Sequence, residues 1–382
     1  MRQTLARGRS ILLFGARQTG KTTLAHRLSP QLAISLVQPD VRLRYEKAPG
    51  LLRGEVEALT VDNPGLPPLV LLDEVQKVPE LLDAVQDLID RQIARFILTG
   101  SSARKLRRRS QPNLLPGRVA VFQLDPLALP EYQSGTIEER LLDGTLPGLV
   151  AVAVVADREQ DLQAYVTAYL EEEIRAEAVV RNLGSFARFL ELAAAESGGI
   201  INLRRLASDI GVAHTTIAAY YQILEDCLIA ERIEPLTTSA TRKKLTRSDK
   251  YLFFDLGVRR LAAREGRQIL PNRWGSLFEQ FVGLELLRWS RAQAPGVRIR
   301  FWRDPSGPEV DWVVDRAGQY IPIEVKWSDS PTARDVRHLH CFLDEYPTAG
   351  CGYVVCRAPR KMKLSERVWA LPWQEFLGGL AG

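Results

Sequence analysis

Metal-ligating side chains are scarce and scattered in this chain. Its four cysteines, Cys227, Cys341, Cys351 and Cys356, contain no C-x-x-C pair, and its histidines are His26, His214, His338 and His340. That argues against the usual zinc spacings and leaves reduced thiols in a cytoplasmic protein as the expectation. His338 and His340 beside Cys341 read as structural. Long apolar runs are also missing. The longest, "LVAVAVVA" (Leu149 to Ala156), falls far short of the roughly 20 residues that a membrane span needs. No secretory signal is visible, so no membrane partner is expected. Charge of one sign is not dominant either: the net value is +5 over 382 residues. That permits nucleic acid binding without arguing for it. Distribution says more, because "RKLRRR" (Arg104 to Arg109) and "TRKKLTRSDK" (Thr241 to Lys250) are strongly basic. Each reads equally as a solvated loop or a phosphate contact.

What is present is ordinary globular material, 46% hydrophobic and 25% charged, which needs no disordered or fibrous class. The length implies two or three domains. The expected division is 1–136, an α/β core with a parallel sheet and flanking helices; 137–200, a helical lid or connector; 201–255, a winged helix-turn-helix; and 256–382, a further α/β domain.

"SILLFGARQTGKTTLAHRL" reads as a buried strand, a glycine-rich turn and a helix. Gly15, Gly20, Lys21 and Thr22 fit G-x-x-x-x-G-K-[ST] in the context that the motif requires. Glycines let the backbone N–H groups curl around phosphates, and the helix N-terminus adds partial positive charge. The loop Gly15, Ala16, Arg17, Gln18, Thr19, Gly20, Lys21, Thr22 and Thr23 is therefore the expected ATP site. Lys21 would reach the β- and γ-phosphates and Thr22 would hold Mg2+. A second apolar strand, "LVLLDEVQ" (Leu69 to Gln76), runs into Asp73 and Glu74. Ligand sites sit at the carboxyl ends of parallel strands. Asp73 is thus expected in the Mg2+ shell, and Glu74 as the residue that activates water. "RFILTGSS" offers Thr99 or Ser101 as a γ-phosphate sensor. Arg118 in "LLPGRVAVFQL" is a candidate arginine finger for a neighbouring subunit, with a surface arginine as the alternative.

After about Ile137 the apolar spacing becomes helical. "INLRRLASDIGVAHTTIAAYYQILED" then has helix-turn-helix spacing. Leu203, Leu206, Ala207 and Ile210 line one helix, Gly211 and Val212 turn, and Thr215 or Thr216 caps a second helix from Ile217 to Leu224. "CLIAERIEPL" and "KYLFFDLG" read as strands flanking a basic loop. The functional reading places His214, Thr215, Thr216 and Tyr220 at a DNA groove and Arg242, Lys243, Lys244 and Arg247 on phosphates. A winged helix used only for protein contacts is the alternative.

In "EVDWVVDRAGQYIPIEVKWS" (Glu309 to Ser328) alternation puts Val310, Trp312 and Val314 on one face and Asp311 on the other. Ile321, Ile323, Val325 and Trp327 share a face; Glu324 and Lys326 share the opposite one. A turn at Ala317 and Gly318 sets Asp311 across from Glu324. In the preceding apolar segment "GSLFEQFVGLELL", Glu279 needs a partner or a metal. Glu279, Asp311 and Glu324 form a candidate Mg2+ or Mn2+ site, and Lys326 is placed to orient water or stabilise phosphorane charge. The alternative is a buried ion pair that fixes the hairpin.

Together "GARQTGKTTL", "LLDEVQKVPELLDAVQDLID", "FILTGSS", "LPGRVAVFQLDPLALPEY", "LASDIGVAHTTIAAYYQILED", "YLFFDLGVRR", "GSLFEQFVGLEL", "FWRDPSGPEVDWVV" and "IPIEVKWS" span nearly the whole chain. In this order they resemble the prokaryotic AAA-type P-loop ATPases whose C-terminal half is related in fold to PD-(D/E)XK nucleases. The resemblance implies an ATPase core, a winged helix and a nuclease-like domain, with Glu279, Asp311, Glu324 and Lys326 matching the nuclease signature. The expected activity is ATP hydrolysis coupled to DNA binding or remodelling by a homo-oligomer, for which a hexameric ring is one arrangement. Two rival readings are a branched-DNA motor with an inactive nuclease fold and a signalling-type nucleotide switch that binds proteins. One departure stands out: "LPGLV" lacks the acidic residue often found after its proline.

Overall fold

The computed structural model describes every residue except 63, 64, 66, 102–114, 116, 171–182, 239–244, 293–295, 306 and 381–382. The basic run Arg104 to Arg109 and the candidate contacts Arg242, Lys243 and Lys244 lie outside the described residues. The chain divides into two compact units, Met1–Asp125 with Asp226–Ile229, and Pro126–Glu225 with Ala230–Gly382.

The first unit is built on a five-stranded parallel sheet. Its strands are β1 (Ser10–Phe14), β2 (Leu32–Ser35), β3 (Leu69–Asp73), β4 (Arg95–Gly100) and β5 (Val119–Gln123), in the spatial order β2-β3-β4-β1-β5. Every residue of β1 and β3 is buried, as an unbroken apolar run requires of a parallel strand covered on both faces. The α-helices among its described residues are α1 (Arg2–Ala6), α2 (Lys21–His26), α3 (Pro39–Lys47), α4 (Leu51–Asp62) and α5 (Leu81–Asp90). Leu81, Leu82, Val85 and Leu88 of α5 join Val70, Leu72, Phe96 and Leu98 in one core, because apolar residues three and four apart share a helix face.

The second unit begins with α6 (Ile137–Asp143), α7 (Pro147–Val150), α8 (Val155–Ala164) and α9 (Leu183–Ala195). Next come α10 (Leu203–Ile210) and α11 (His214–Asp226), the latter closing at the unit boundary. The Asn202 side chain caps α10 by accepting from Arg205 N at 3.1 Å, and Gly211 ends it at φ 79°. That is the left-handed position where glycine carries no Cβ penalty. β6 (Ala230–Ile233) and β7 (Lys250–Phe253) pair antiparallel, and Ile200 bridges to Lys250. After α12 (Leu256–Ala262) and α13 (Trp274–Ala292) come β8 (Val297–Arg303), β9 (Glu309–Arg316), β10 (Gln319–Val325), α14 (Arg337–Glu345), β11 (Gly352–Cys356), β12 (Met362–Lys363), β13 (Val368–Pro372) and α15 (Phe376–Gly379). Their six-stranded mixed sheet has the order β12-β13-β11-β10-β9-β8. α13 packs with Trp312, Val314, Ile323 and Val325 on one face; α14 packs with Val313 and Val354 on the other.

β9 and β10 pair from Gln319↔Arg316 to Ile323↔Trp312, so the turn falls at Ala317 and Gly318, and continuing the register sets Asp311 opposite Glu324. One element of the expected alternation fails. Val310 packs in the α14 core rather than with Trp312. A register shift opposite Arg300 and Trp302 breaks the two-residue period there. No helix of the described residues is long and apolar enough to cross a membrane.

Candidate functional site

The loop after β1 is shaped by backbone crowding. A Cβ on Gly15 would sit 2.4 Å from the carbonyl oxygen of Leu124, so only glycine fits. Gln18 and Gly20 adopt φ of 60° and 91°. Lys21 Nζ donates to the carbonyl oxygens of Gly15 and Ala16, each at 2.9 Å, and lies 3.9 Å from Glu74 Oε1. Thr19 Oγ1 donates to the Ala16 carbonyl at 2.9 Å. Thr23 is the third residue of α2.

Three strands meet at this edge. Asp73 Oδ1 accepts from Thr22 Oγ1 at 2.9 Å and from Thr99 Oγ1 at 2.7 Å. Thr99 Oγ1 also accepts from Glu74 N at 3.0 Å. Glu74 sits at φ 59°, ψ 48°. A non-glycine residue in this left-handed region costs energy and tends to occur where a side chain must be aimed. Its Oε2 accepts from Ser101 Oγ at 2.9 Å and from Gln76 Nε2. Thr99 and Ser101, expected as phosphate sensors, are fully buried and positioned on the two carboxylates. Gln76, which the sequence did not single out, completes that network.

Arg118 is not part of this edge. Val119 pairs with Ser10, the first residue of β1, so Arg118 stands at the amino edge of the sheet. Four strand steps, about 13 Å, separate it from the phosphate-loop end. Its guanidinium meets Asp90 of α5 through Nε at 2.6 Å and Nη2 at 2.8 Å. Hydrogen bonding from Arg118 lowers the Asp90 pKa.

In the second unit, His214 and Thr215 are exposed and Thr216 is half-buried. α11 begins at His214, so both threonines lie within its first turn and neither is the capping residue. Tyr220 is turned inward. Its ring meets Phe186 and Phe189 at centroid distances of 4.8 and 5.3 Å, and it is 6% exposed. The same phase that buries Ile217 and Leu224 buries Tyr220, so it presents no ring to a groove. An open groove of about 860 Å³ is lined by Arg204, His214, Arg247 and Arg303, among others. Asp249, also on its wall, is paired with Arg232 at 2.8 Å.

This groove shares Ile200 and Arg303 with a smaller cleft of about 190 Å³ that holds Glu279, Asp311 and Lys250. Asp311 Oδ2 accepts from Val325 N at 2.8 Å. Lys326 Nζ donates to Glu324 Oε1 at 2.7 Å, while Glu324 Oε2 is buried without a hydrogen-bond partner. Lys250 Nζ donates to Glu279 Oε1 at 2.9 Å. Burial, then the charges of Glu279 and Glu324, push the Asp311 carboxyl well above its ordinary pKa. Glu324 is raised too, chiefly by burial and against the pull of Lys326. Burial by itself would lower both lysines, but the carboxylates beside them outweigh it and raise their pKa.

The three carboxylates do not fit a metal ion as they stand. Among the described residues no group of three or more His, Cys, Asp or Glu side chains is arranged to hold one, and lysines hold two of the three. Lys250 is the residue that sequence reading missed. Its one signal is a lysine in a strand otherwise made of Tyr251, Leu252 and Phe253, every position of which is buried.

Three segments match known families: residues 7–133 an AAA domain, residues 134–268 a domain of unknown function (DUF8612), and residues 274–376 another domain of unknown function (DUF4143). The first unit thus carries a P-loop domain of the AAA ATPase type. Over 385 aligned positions the chain is 27% identical to Uncharacterized protein Rv2008c of Mycobacterium tuberculosis and to Uncharacterized protein Mb2031c of Mycobacterium bovis, covering 99% of this chain and 83% of each relative. Among solved structures it is similar to the Aeropyrum pernix ORC1 protein in complex with DNA. That match has 15% identity, covers 69% of this chain and 90% of that one, and has a TM-score of 0.25, too slight to carry an argument.

Proposed function

We propose that the protein is an ATPase that couples nucleotide turnover to binding or remodelling DNA. The observation that carries it is the convergence of Lys21, Thr22, Asp73 and Glu74 on one sheet edge, held by Thr99 and Ser101. In this reading the loop from Gly15 to Thr23 cradles the phosphates, and Lys21 exchanges its carbonyl partners for them. Thr22 and Asp73, already 2.9 Å apart, hold the Mg2+ that screens phosphate charge. Glu74 orients the attacking water. Arg118, remote from its own loop, serves as a finger only for the nucleotide of another copy, in a homo-oligomer.

The DNA half of the reading rests on the second unit. α10, α11 and the β6–β7 pair are read as a winged helix. The arginines of its groove supply backbone charge contacts, with His214, Thr215 and Thr216 exposed or half-exposed nearby. The test has two arms. Lys21→Ala abolishes ATP binding or turnover; unchanged phosphate release sinks the ATPase reading. Arg204→Ala and Arg247→Ala each weaken DNA binding in fluorescence anisotropy and reduce the salt slope by about one phosphate contact. Salt-independent or absent DNA binding favours a nucleotide switch that binds proteins.

A second reading of the cleft, metal-dependent phosphodiester cleavage with Mg2+ or Mn2+ on Glu279, Asp311 and Glu324, has one observation in its favour: the unpartnered Glu324 Oε2. Lys250 stands against it.

A further inference from the structure

Lys250 does not approach Glu279 by chance placement on a surface. It is in β7, opposite Ile233 and bridged to Ile200, and it is 8% exposed. Its ammonium lies 5.0 Å from the Phe301 ring centroid and 5.1 Å from that of Trp312. Aromatic faces attract a compact monocation, whereas Mg2+ and Mn2+ demand oxygen ligands. Trp312 is itself fixed: its Nε1 donates to the Glu279 carbonyl at 3.0 Å. A Cβ on Gly283 would lie 2.4 Å from its ring, so α13 has a glycine where the indole needs space. A carboxylate, two aromatic rings and the glycine that admits one of them make an ammonium seat.

Around it the charges nearly balance. Glu279, Asp311 and Glu324 face Lys250 and Lys326, which leaves a single negative charge before any proton binds. Glu309 and Arg303 pair at the rim at 3.3 Å. A divalent cation added to this set would carry the cluster past neutrality while sitting against an ammonium. With Lys250 absent, the same carboxylates would hold a surplus that a divalent ion matches.

We infer that Lys250 is the resident cation of this cleft, and that a divalent metal binds to Glu279, Asp311 and Glu324 only by taking its place. The inference rests on reading these carboxylates as one acidic site. Its test is separate from DNA cleavage and from ATP turnover, so either reading can fail without the other.

The test is Mn2+ titration of the nucleotide-free full chain, followed by the loss of the free-ion electron paramagnetic resonance signal. Wild type and Lys250→Arg are expected to bind weakly. Lys250→Met should bind one Mn2+ at least about tenfold more tightly, since a full charge at contact distance has been removed. Adding Asp311→Asn to Lys250→Met should abolish that site. Circular dichroism melting establishes that each variant is folded, and Lys250→Gln replaces Lys250→Met if the latter is not. A wild-type protein that binds Mn2+ at an Asp311-dependent site as tightly as the folded Lys250 variant overturns the inference. A folded Lys250 variant that binds none overturns it as well.

Discussion

Thr22 and Asp73, 51 residues apart in sequence, share a hydrogen bond of 2.9 Å from Oγ1 to Oδ1. Thr99, on β4 between β3 and β1, donates to the same carboxylate oxygen. Asp73 is therefore oriented from both sides. Thr22→Ala or Asp73→Asn should lower ATP turnover by about a hundredfold, the cost of misplacing a catalytic constellation. Phosphate release at saturating ATP and Mg2+ measures this. Wild-type rates in both variants would remove the pair from the site.

The parts of this arrangement that the sequence made legible are the contiguous ones. The phosphate loop, its strand and its helix lie within twenty residues, and steric rules permit few alternatives. The hairpin register followed from a two-residue period and a glycine turn. What escaped depends on packing from distant elements. Tyr220 looked available because an amphipathic helix has two partly apolar sides, and only the positions of Phe186 and Phe189 decide which side is buried. Val310 left its expected face because a bulge is invisible in alternation. Lys250 meets Glu279 across 29 residues, and no local rule pairs a strand lysine with a glutamate on a later helix.

Glu74 is held differently from Asp73, by Ser101 Oγ, Gln76 Nε2 and its own left-handed backbone. Glu74→Gln keeps the shape and removes the carboxylate proposed to act on the attacking water. Nucleotide affinity should stay within a few-fold of wild type while turnover falls by about 10² or more, the range for a lost general base. Equilibrium binding of a fluorescent nucleotide and phosphate release separate the two effects. Equal losses of affinity and rate would instead mean that Glu74 only supports the loop.

Gly283 lies against the Trp312 ring, and any Cβ there must displace it. Gly283→Ala should destabilise the second unit by about 1–3 kcal/mol, the usual cost of overpacking, despite the higher helix propensity of alanine. Denaturant unfolding followed by tryptophan fluorescence reports it. A variant as stable as wild type would mean that the indole has room to move, which would also loosen the seat proposed for Lys250.

Asp311 gives the pH dependence. Its folded pKa is raised, first by burial and then by Glu279 and Glu324, so the folded state binds this proton more tightly than the unfolded chain, whose aspartates titrate near ~3.9. The stabilisation from that proton is complete below the unfolded value and is lost as pH rises through the folded one. Above that folded value the carboxylate is kept charged at a cost, with three carboxylates facing two ammoniums. Asp311→Asn removes that ionisation, and its amide oxygen can still accept from Val325 N. The variant should therefore melt at least as high as wild type at pH 7–8, with the difference narrowing as pH falls towards 4. Thermal melts across that range test the sign. A variant clearly less stable at pH 8 would mean that the charged carboxylate is a net support of the fold, and that Lys250 and Lys326 depend on it more than it costs.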